Sequence, residues 1–280
     1  MSTEDFSPDG GAWGEPFEID TTVAHPARRY NYWLGGKDNF EADRKSGDAL
    51  AAVFPQIKIA AIENRRFLRR AVTYLVEEAG IRQFLDIGTG IPSADNVHNV
   101  AQSIAPESRV VYVDNDPIVL AHARRLLPGV GDTAYIHADL HDPDAILGNP
   151  DLRGTLDLSR PVALMLIFVL HFFPESDDPY GRVARLTDAV APGSHLVISH
   201  GTADFMTAEM KATVAAEYAR HRSRDPFQFR DRAGVARFFE GMELIPPGIV
   251  PTSGWRNDAP PDERASPADA GSYGAVARIR

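Results

Sequence analysis

The sequence predicts an α/β fold in which a doubly wound, mixed sheet follows an N-terminal helical extension. From residue 81 onward, short apolar runs alternate with capped segments of helical spacing, a rhythm typical of β-α-β units. Residues 162–170 are uniformly apolar, as expected of a central parallel strand that is covered on both faces. Two late strand candidates, 243–250 and 273–279, have no long helix between them and indicate a hairpin-like edge.

The chain before this sheet divides into a tail and an extension. Residues 1–24 are acidic and contain a glycine-rich stretch, so we expect a disordered tail. Residues 25–80 have helical spacing and are expected to form a helical extension or lid that ends at Gly80. Residues 81–280 are predicted to form a single α/β domain.

The elements of the α/β domain follow in order. Besides the two late candidates, strands are predicted at residues 84–87, 109–113, 134–138, 162–170 and 195–199. Ser93, Asp116 and Asp178 are candidate helix N-caps. The two aspartates are each followed by proline, which is favoured at the first helical position.

Composition limits the classes of function. Acidic residues outnumber basic ones by 39 to 29, and the net charge of −10 argues against nucleic acid or anionic membrane as a partner. The chain has no cysteine, which excludes disulfides and thiolate chemistry, and its histidines show no metal-binding spacing, so we expect no metal. The longest apolar run is far shorter than the roughly 20 residues of a membrane helix, and the acidic start does not resemble a signal peptide. We expect a cytoplasmic protein.

The strongest local signal is the glycine loop, residues 86–93, between the first strand and the next helix. Gly88 and Gly90 let the backbone approach a ligand at the carboxyl edge of the sheet. A dinucleotide-binding turn would have a third glycine where this chain has Ser93. Asp86 would repel a pyrophosphate but suits the sulfonium and ammonium of S-adenosylmethionine (SAM). The loop favours SAM over NAD, with a ligand-free glycine turn as the other alternative.

Carboxylates also end the next two strands. Asp114 can accept hydrogen bonds from both ribose hydroxyls of an adenosine, and it has no evident local role. Asp116 is better explained as a helix cap. Asp139 and Leu140 end the third strand, where they could contact the adenine edge; a solvated loop aspartate is the alternative.

These residues together resemble the class I SAM-dependent methyltransferases. More narrowly, four stretches resemble an actinobacterial family of such transferases: residues 29–40, the glycine loop, residues 112–117, and residues 170–174 with 199–202. The resemblance extends from about residue 21 to the C-terminus. It implies a Rossmann-like, seven-stranded sheet with an antiparallel last strand.

The resemblance also implies which residues hold the cofactor. It places Gly88, Gly90, Asp114, Asn115 and Asp139 around SAM. It places Asp86 beneath the cofactor, near the methionyl ammonium. Pro92 departs from the broader pattern, which has a third glycine, and leaves open which backbone amide meets the methionyl carboxylate.

Two further positions are candidates at the methyl end of the site. Tyr30 lies in an aromatic stretch before Gly35 and Gly36; it could close over the sulfonium as part of a lid, or simply pack a helix together with Trp33. His171 closes the fourth strand and could act as a general base, or be a structural histidine among phenylalanines.

The sequence therefore predicts a SAM-dependent methyltransferase that transfers a methyl group directly to a small-molecule or peptidic acceptor. The fourth strand lacks the Asn/Asp-Pro-Pro-aromatic signature of enzymes that methylate DNA bases or glutamine. A non-catalytic SAM-binding regulatory protein and an NAD-dependent oxidoreductase are the alternatives. The basic residues Arg65, Arg66, Arg69 and Arg70 are expected to form a solvated helix face.

Overall fold

A computed structural model of the chain describes residues 19–93, 95–119, 121, 132–221 and 227–280. Most of the predicted tail, residues 1–18, lies outside the described residues. Within the described residues, no helix is long and apolar enough to cross a membrane.

In the described part of the chain before the sheet there are three helices: α1 (Pro26–Trp33), α2 (Glu41–Val53) and α3 (Ile57–Glu77). Helix α3 buries an apolar face because its side chains recur at helical spacing; Phe67, Leu68, Ala71, Val72, Leu75 and Val76 are all at most 2% exposed. The chain leaves the helix through Gly80, whose φ of +69° lies in the left-handed region that favours glycine.

Within the described residues, the sheet has eight strands. They are β1 (Gln83–Ile87), β2 (Arg109–Asp114), β3 (Thr133–His137), β4 (Ala163–Ile167), β5 (His195–Gly201), β6 (Glu243–Leu244), β7 (Val250–Pro251) and β8 (Ser272–Arg278). The order is β3-β2-β1-β4-β5-β8-β6, and β7 also pairs with β8. Strands β1 to β5 are parallel, whereas β8 is antiparallel to β5. This confirms the predicted doubly wound, mixed sheet.

The sheet has one strand more than the resemblance implied, because the late candidate at 243–250 is not continuous. Pro246 and Pro247 have no N–H to donate to a ladder, so the segment pairs with β8 at two separate places. The predicted strand is therefore replaced by the two short strands β6 and β7.

The helices that follow β1 cover both faces of the sheet. They are α4 (Val97–Ile104), α5 (Pro143–Gly148), α6 (Pro150–Thr155), α7 (Pro179–Thr187), α8 (Ala208–His221), α9 (Arg232–Ala236) and α10 (Pro267–Ala270). The apolar run in β4 serves both faces: Leu164 and Leu166 belong to one core cluster, and Met165 belongs to the other. The second cluster packs beneath α3, where Trp255 is fully buried edge-on against Phe67.

Two of the three predicted caps are present. Asp178 accepts a hydrogen bond from the N–H of Gly181, and Asp116 accepts one from the N–H of Ile118 at 3.1 Å. The prediction for Ser93 was wrong: α4 begins after Asn96, and the Asn96 side chain accepts from the N–H of Ser93 at 3.1 Å. Ser93 therefore lies in the turn that leads to the cap.

Candidate cofactor and acceptor site

A pocket of about 410 Å³ lies at the carboxyl ends of the parallel strands, beneath the helical extension. Nine residues singled out in the sequence line it: Tyr30, Asp86, Gly88, Gly90, Asp114, Asn115, Asp139, Leu140 and His171. They come from five separate segments, and the fold brings them together because parallel strands present their carboxyl ends at the same edge of a sheet.

The glycine loop forms one wall of this pocket. Gly88 and Gly90 have φ values of +74° and +68°. A Cβ at Gly88 would lie 2.5 Å from a Val169 methyl carbon, so only glycine fits between the loop and the chain that leaves β4. The N–H of Gly88 donates to the carbonyl of Val113 at 2.8 Å, which joins the loop to the end of β2.

Asp114 does have a local structural role, contrary to the sequence analysis. Its Oδ2 accepts from the N–H of Gly90 at 2.7 Å, and its Oδ1 accepts from the N–H of Asp116 at 2.9 Å. The carboxyl is buried, and burial raises its pKa while the two backbone donors oppose that rise. Asp114 thus fixes the shape of the glycine loop and also lines the pocket.

Asp116 joins the helical extension to the sheet. Its Oδ2 lies 2.9 Å from Nδ1 of His25 and 3.7 Å from Nε of Arg28. Arg28 is also 3.6 Å from Asp43, which is fully buried at the start of α2. Burial acts to raise the pKa of Asp116, but the contacts with His25 and Arg28 and the Ile118 N–H lower it overall. Asp116 is therefore both a cap and an anchor.

Asp86 is a buried carboxyl at the floor of the pocket, with 4% of its surface exposed. Burial raises its pKa to about 7, and the nearby Arg65 and the Thr89 hydroxyl only partly oppose this. Arg65 lines the pocket and donates to the carbonyl of Asp95 at 2.8 Å. The expectation of a solvated face was thus wrong for Arg65. It was also wrong for Arg70, which is half-buried and donates to the carbonyls of Trp255 and Thr252, whereas Arg66 and Arg69 on the same helix are exposed.

Polar groups at the ends of β2 and β3 form a small network. Nδ2 of Asn115 donates to Asp139 at 2.7 Å, and the N–H of His141 donates to the other oxygen of Asp139 at 2.8 Å. Burial acts to raise the pKa of Asp139, but these hydrogen bonds lower it overall. Leu140 is buried beside this network. Asp139 is therefore held as a carboxylate at the rim of the pocket.

Helix α1 packs on α3 and roofs the pocket. The Tyr30 hydroxyl donates to the carbonyl of Ala61 at 3.0 Å and accepts from Nδ2 of Asn64 at 2.8 Å. The N–H groups of Gly35 and Gly36 donate to the carbonyls of Tyr32 and Asn31, which is a Schellman termination of α1. The glycine pair is explained by the termination of α1, so it does not by itself indicate a hinge.

His171 lies in a short 3-10 segment after β4 and is 4% exposed. Its Nδ1 is buried and makes no hydrogen bond. Burial lowers its pKa well below the usual value, and the positive charges of Arg230 and Arg29 act in the same direction. The imidazole is therefore neutral at pH 7.

Comparison with known proteins identifies the family. The sequence profile of the S-adenosyl methyltransferase family matches residues 13–280. The chain belongs to the S-adenosyl methyltransferase family. It is similar to the crystal structure of a DUF574 family protein from Streptomyces avermitilis, with 49% identity, a TM-score of 0.89, and coverage of 94% of this chain and 100% of that one.

A crystal structure from Thermobifida fusca, described as that of a candidate methyltransferase, gives 41% identity and a TM-score of 0.86, and covers 93% of this chain and 97% of that one. A search of curated proteins found no match. The expected actinobacterial family, the class I methyltransferase fold and SAM as the cofactor are thereby confirmed.

The residues of this methyltransferase fit its cofactor. Three carboxylates, Asp86, Asp114 and Asp139, stand around one glycine loop. They suit a ligand that carries ribose hydroxyls, an amine, an ammonium and a sulfonium, and they would repel a pyrophosphate. The buried Asp86, whose pKa is raised by burial in spite of the nearby Arg65, is a natural partner for an ammonium.

Sequence reasoning missed a group that supports the pocket of this methyltransferase. The buried Asn64 accepts from the Ser199 hydroxyl at 2.6 Å while it donates to Tyr30. Ser199 in turn accepts from the N–H of Phe168, which has a φ of +55°. A polar residue on the buried face of α3 was the available signal, because a buried amide needs partners.

Proposed function

We propose that this methyltransferase acts on a small-molecule or peptidic acceptor that enters the pocket beside His171, with direct transfer of the methyl group. The observation that carries the proposal is the continuity of the pocket. It runs from Asp114 and Asp139 past the glycine loop to His171, beneath Tyr30 and Phe168. Catalysis by alignment needs such a shared space, because donor and acceptor must be held within contact distance. We also propose a cytoplasmic location, from the sequence composition.

The proposed roles at the adenosine end follow from the hydrogen-bonding sites that the pocket carboxylates do not use within the protein. A carboxylate has about four acceptor sites, and Asp114 uses two of them on Gly90 and Asp116. The others are available to ribose hydroxyls. Asp139 and Asn115 would hydrogen-bond the adenine amine, and Leu140 would pack on the adenine ring. SAM, when bound, supplies an electrophilic methyl group.

At the methionyl end, Asp86 would hold the ammonium of SAM. The Gly88–Gly90 backbone would pack against the methionyl chain of the cofactor. Tyr30 and Phe168 make an edge-to-face pair, with 6.1 Å between ring centroids, at the place where an aromatic face could meet the sulfonium. His171 is the proposed catalytic residue. A neutral imidazole can accept a proton from the acceptor as the new bond forms.

The test is direct. SAH, the demethylated form of SAM, should bind in calorimetry, and conversion of SAM to SAH should require an acceptor. His171→Gln should retain SAH affinity and reduce acceptor-dependent turnover by roughly 10²–10⁴-fold. Retained turnover in this variant would refute the assignment of His171. SAH binding without any conversion of SAM in the presence of a broad small-molecule and peptide panel would instead support the regulatory alternative.

A further inference from the structure

The acceptor end of the pocket is built from aromatic rings. We call the following six residues the aromatic wall: Tyr30, Phe168, His171, Phe172, Phe227 and Phe229, all of which line the pocket. The His171 ring centroid lies 4.4 Å from that of Phe172, 4.5 Å from that of Phe227 and 5.3 Å from that of Phe168. Phe227 and Phe229 are 4.7 Å apart. These are the separations of interacting aromatic rings; His171 and Phe227 are tilted by 35°, and the other three pairs meet edge to face.

The wall is rigid at its centre. Phe168 has a φ of +55°, which is unusual for a bulky residue. The backbone holds this conformation because its N–H donates to both the hydroxyl and the carbonyl of Ser199. Ser199 is itself fixed by Asn64. A ring held in this way offers a preformed surface for a planar ligand.

The charges of the pocket are unequally distributed. Its three carboxylates, Asp86, Asp114 and Asp139, stand at the ends of β1, β2 and β3, on the side of the glycine loop. Arg29 also lines the pocket, and its positive charge helps to lower the pKa of His171. Among the described pocket residues, the three carboxylates therefore lie at the cofactor end, and a cationic acceptor would find none at the wall.

The His171 imidazole is a polar group within the wall, and it lines the pocket. Its Nδ1 is buried and makes no hydrogen bond. The neutral imidazole can accept a hydrogen bond from a hydroxyl on a bound ring at the edge that lines the pocket. A peptide backbone, by contrast, would bring several amides to a surface with few partners for them.

We propose that the methyl acceptor is a small aromatic compound whose ring packs on the aromatic wall and whose hydroxyl donates a hydrogen bond to the His171 imidazole. This rests on the proposed function and narrows its acceptor class. In the transfer, the hydroxyl oxygen bonds to the methyl carbon and the carbon–sulfur bond breaks with its electron pair on sulfur. The hydroxyl proton passes to His171 and then to water.

The test uses three matched probes on the full chain saturated with SAH. 2-Naphthol has both the rings and the hydroxyl, naphthalene lacks the hydroxyl, and decahydro-2-naphthol lacks the aromaticity. We expect 2-naphthol to bind at least about tenfold more tightly than either analogue, the effect of one net hydrogen bond or one aromatic contact. Equal affinity for naphthalene or for the saturated alcohol would overturn the proposal, as would tighter binding of a phenylalanine-containing tetrapeptide.

Variants test the ring contacts and the hydrogen bond to His171 separately. Phe172→Leu and Phe227→Leu should weaken 2-naphthol binding roughly two- to ten-fold and leave SAH affinity unchanged. Tyr74→Leu is the matched control, because this ring packs on Trp255 outside the pocket. His171→Phe keeps an aromatic ring but removes the nitrogen, so the preference for 2-naphthol over naphthalene should fall toward one. An unchanged preference would overturn the role of the His171 imidazole.

Calorimetry with SAH distinguishes a wrong acceptor class from a wrong proposed function. If SAH binds and the probes show no preference, the acceptor class is wrong while the proposed function stands. If wild-type protein does not bind SAH, the proposed function itself fails.

Discussion

At the scale of single residues, Asp114 and Asp116 are two positions apart and hold different parts of the molecule. Asp114 shapes the glycine loop and lines the pocket, whereas Asp116 caps a helix and anchors the extension through His25. Asp114→Ala should weaken SAH binding roughly ten- to a hundred-fold, the effect of losing charge-assisted hydrogen bonds.

Asp116→Ala is the paired control. It should lower the free energy of unfolding by at least about 1 kcal/mol, the usual cost of a lost cap, because Arg28 also loses a buried partner. Its effect on SAH affinity should be the smaller of the two. Calorimetry and urea denaturation on both variants measure the difference; equal losses of affinity would contradict this division of roles.

Asp86 predicts a pH dependence of cofactor binding. In the free protein its pKa is about 7, so it is mostly protonated at pH 6 and must lose that proton to pair with an ammonium. SAH affinity should therefore increase roughly tenfold from pH 6 to pH 8, which is the change in the ionised fraction of such a group. Asp86→Asn should bind SAH weakly with a flat profile over this range. A wild-type profile that is equally flat would argue against contact between Asp86 and the ammonium.

At the scale of elements, polar contacts add to the apolar packing of α3 in holding the extension over the sheet. Asn64→Ala removes the link between Tyr30 and Ser199 and leaves buried groups without partners. We expect a loss of about 1–3 kcal/mol in the free energy of unfolding and faster amide exchange in α1. Tyr30→Phe, which removes one hydroxyl and keeps the ring, should have a smaller effect. Hydrogen exchange with mass spectrometry checks both variants.

The same measurement addresses the lid hypothesis. If α1 closes over the cofactor, SAH should slow amide exchange in Pro26–Trp33. Exchange in the exposed edge strand β6 serves as the internal reference, because β6 is remote from the pocket. Equal exchange of α1 with and without SAH would indicate a fixed roof.

The elements also differ in how far the sequence determines them. The β4 strand and the Asp178-Pro179 cap were predictable because their signals are local: a continuous apolar run, and an N-cap followed by proline. The placement of the extension was not, since it depends on contacts between distant residues. Asn64 bonds to Ser199 across 135 positions, and Arg70 bonds to Trp255 across 185. No local pattern in either segment predicts its contact with the other.

The candidate site shows the same limit. Residues at strand ends were predictable because the topology places those ends together, and all nine candidates line the pocket. The structural role of Asp114 and the inward position of Arg65 were missed, because both depend on how a loop folds around the side chain.

At the scale of the whole molecule, buried neutral histidines predict a loss of stability in acid. Burial lowers the pKa of His195 to about 4 and that of His200 to about 3. The unfolded chain binds these protons near pH 6.5, so the free energy of unfolding should decrease as pH falls from 7 toward 4, by about 2 kcal/mol per histidine at pH 5. Asp86, with its raised pKa, opposes part of this change.

Urea denaturation at pH 7, 6 and 5 measures the slope. His195→Gln should make the slope shallower, since one titrating group is removed. A stability that rises steadily from pH 7 to pH 5 would contradict the assignment of these histidines as neutral in the folded protein.

The central claim is that this pocket holds SAM through its carboxylates, and titration of the full chain with SAH in a calorimeter, with NAD in parallel, tests it most directly. We predict one SAH site per chain in the wild type, a loss of at least about tenfold in affinity in Asp114→Ala, and no heat of binding with NAD. At 100 times its dissociation constant, SAH should also stabilise the fold by about 2.7 kcal/mol. Binding of NAD in place of SAH, or SAH binding unaffected by Asp114→Ala, would contradict the account.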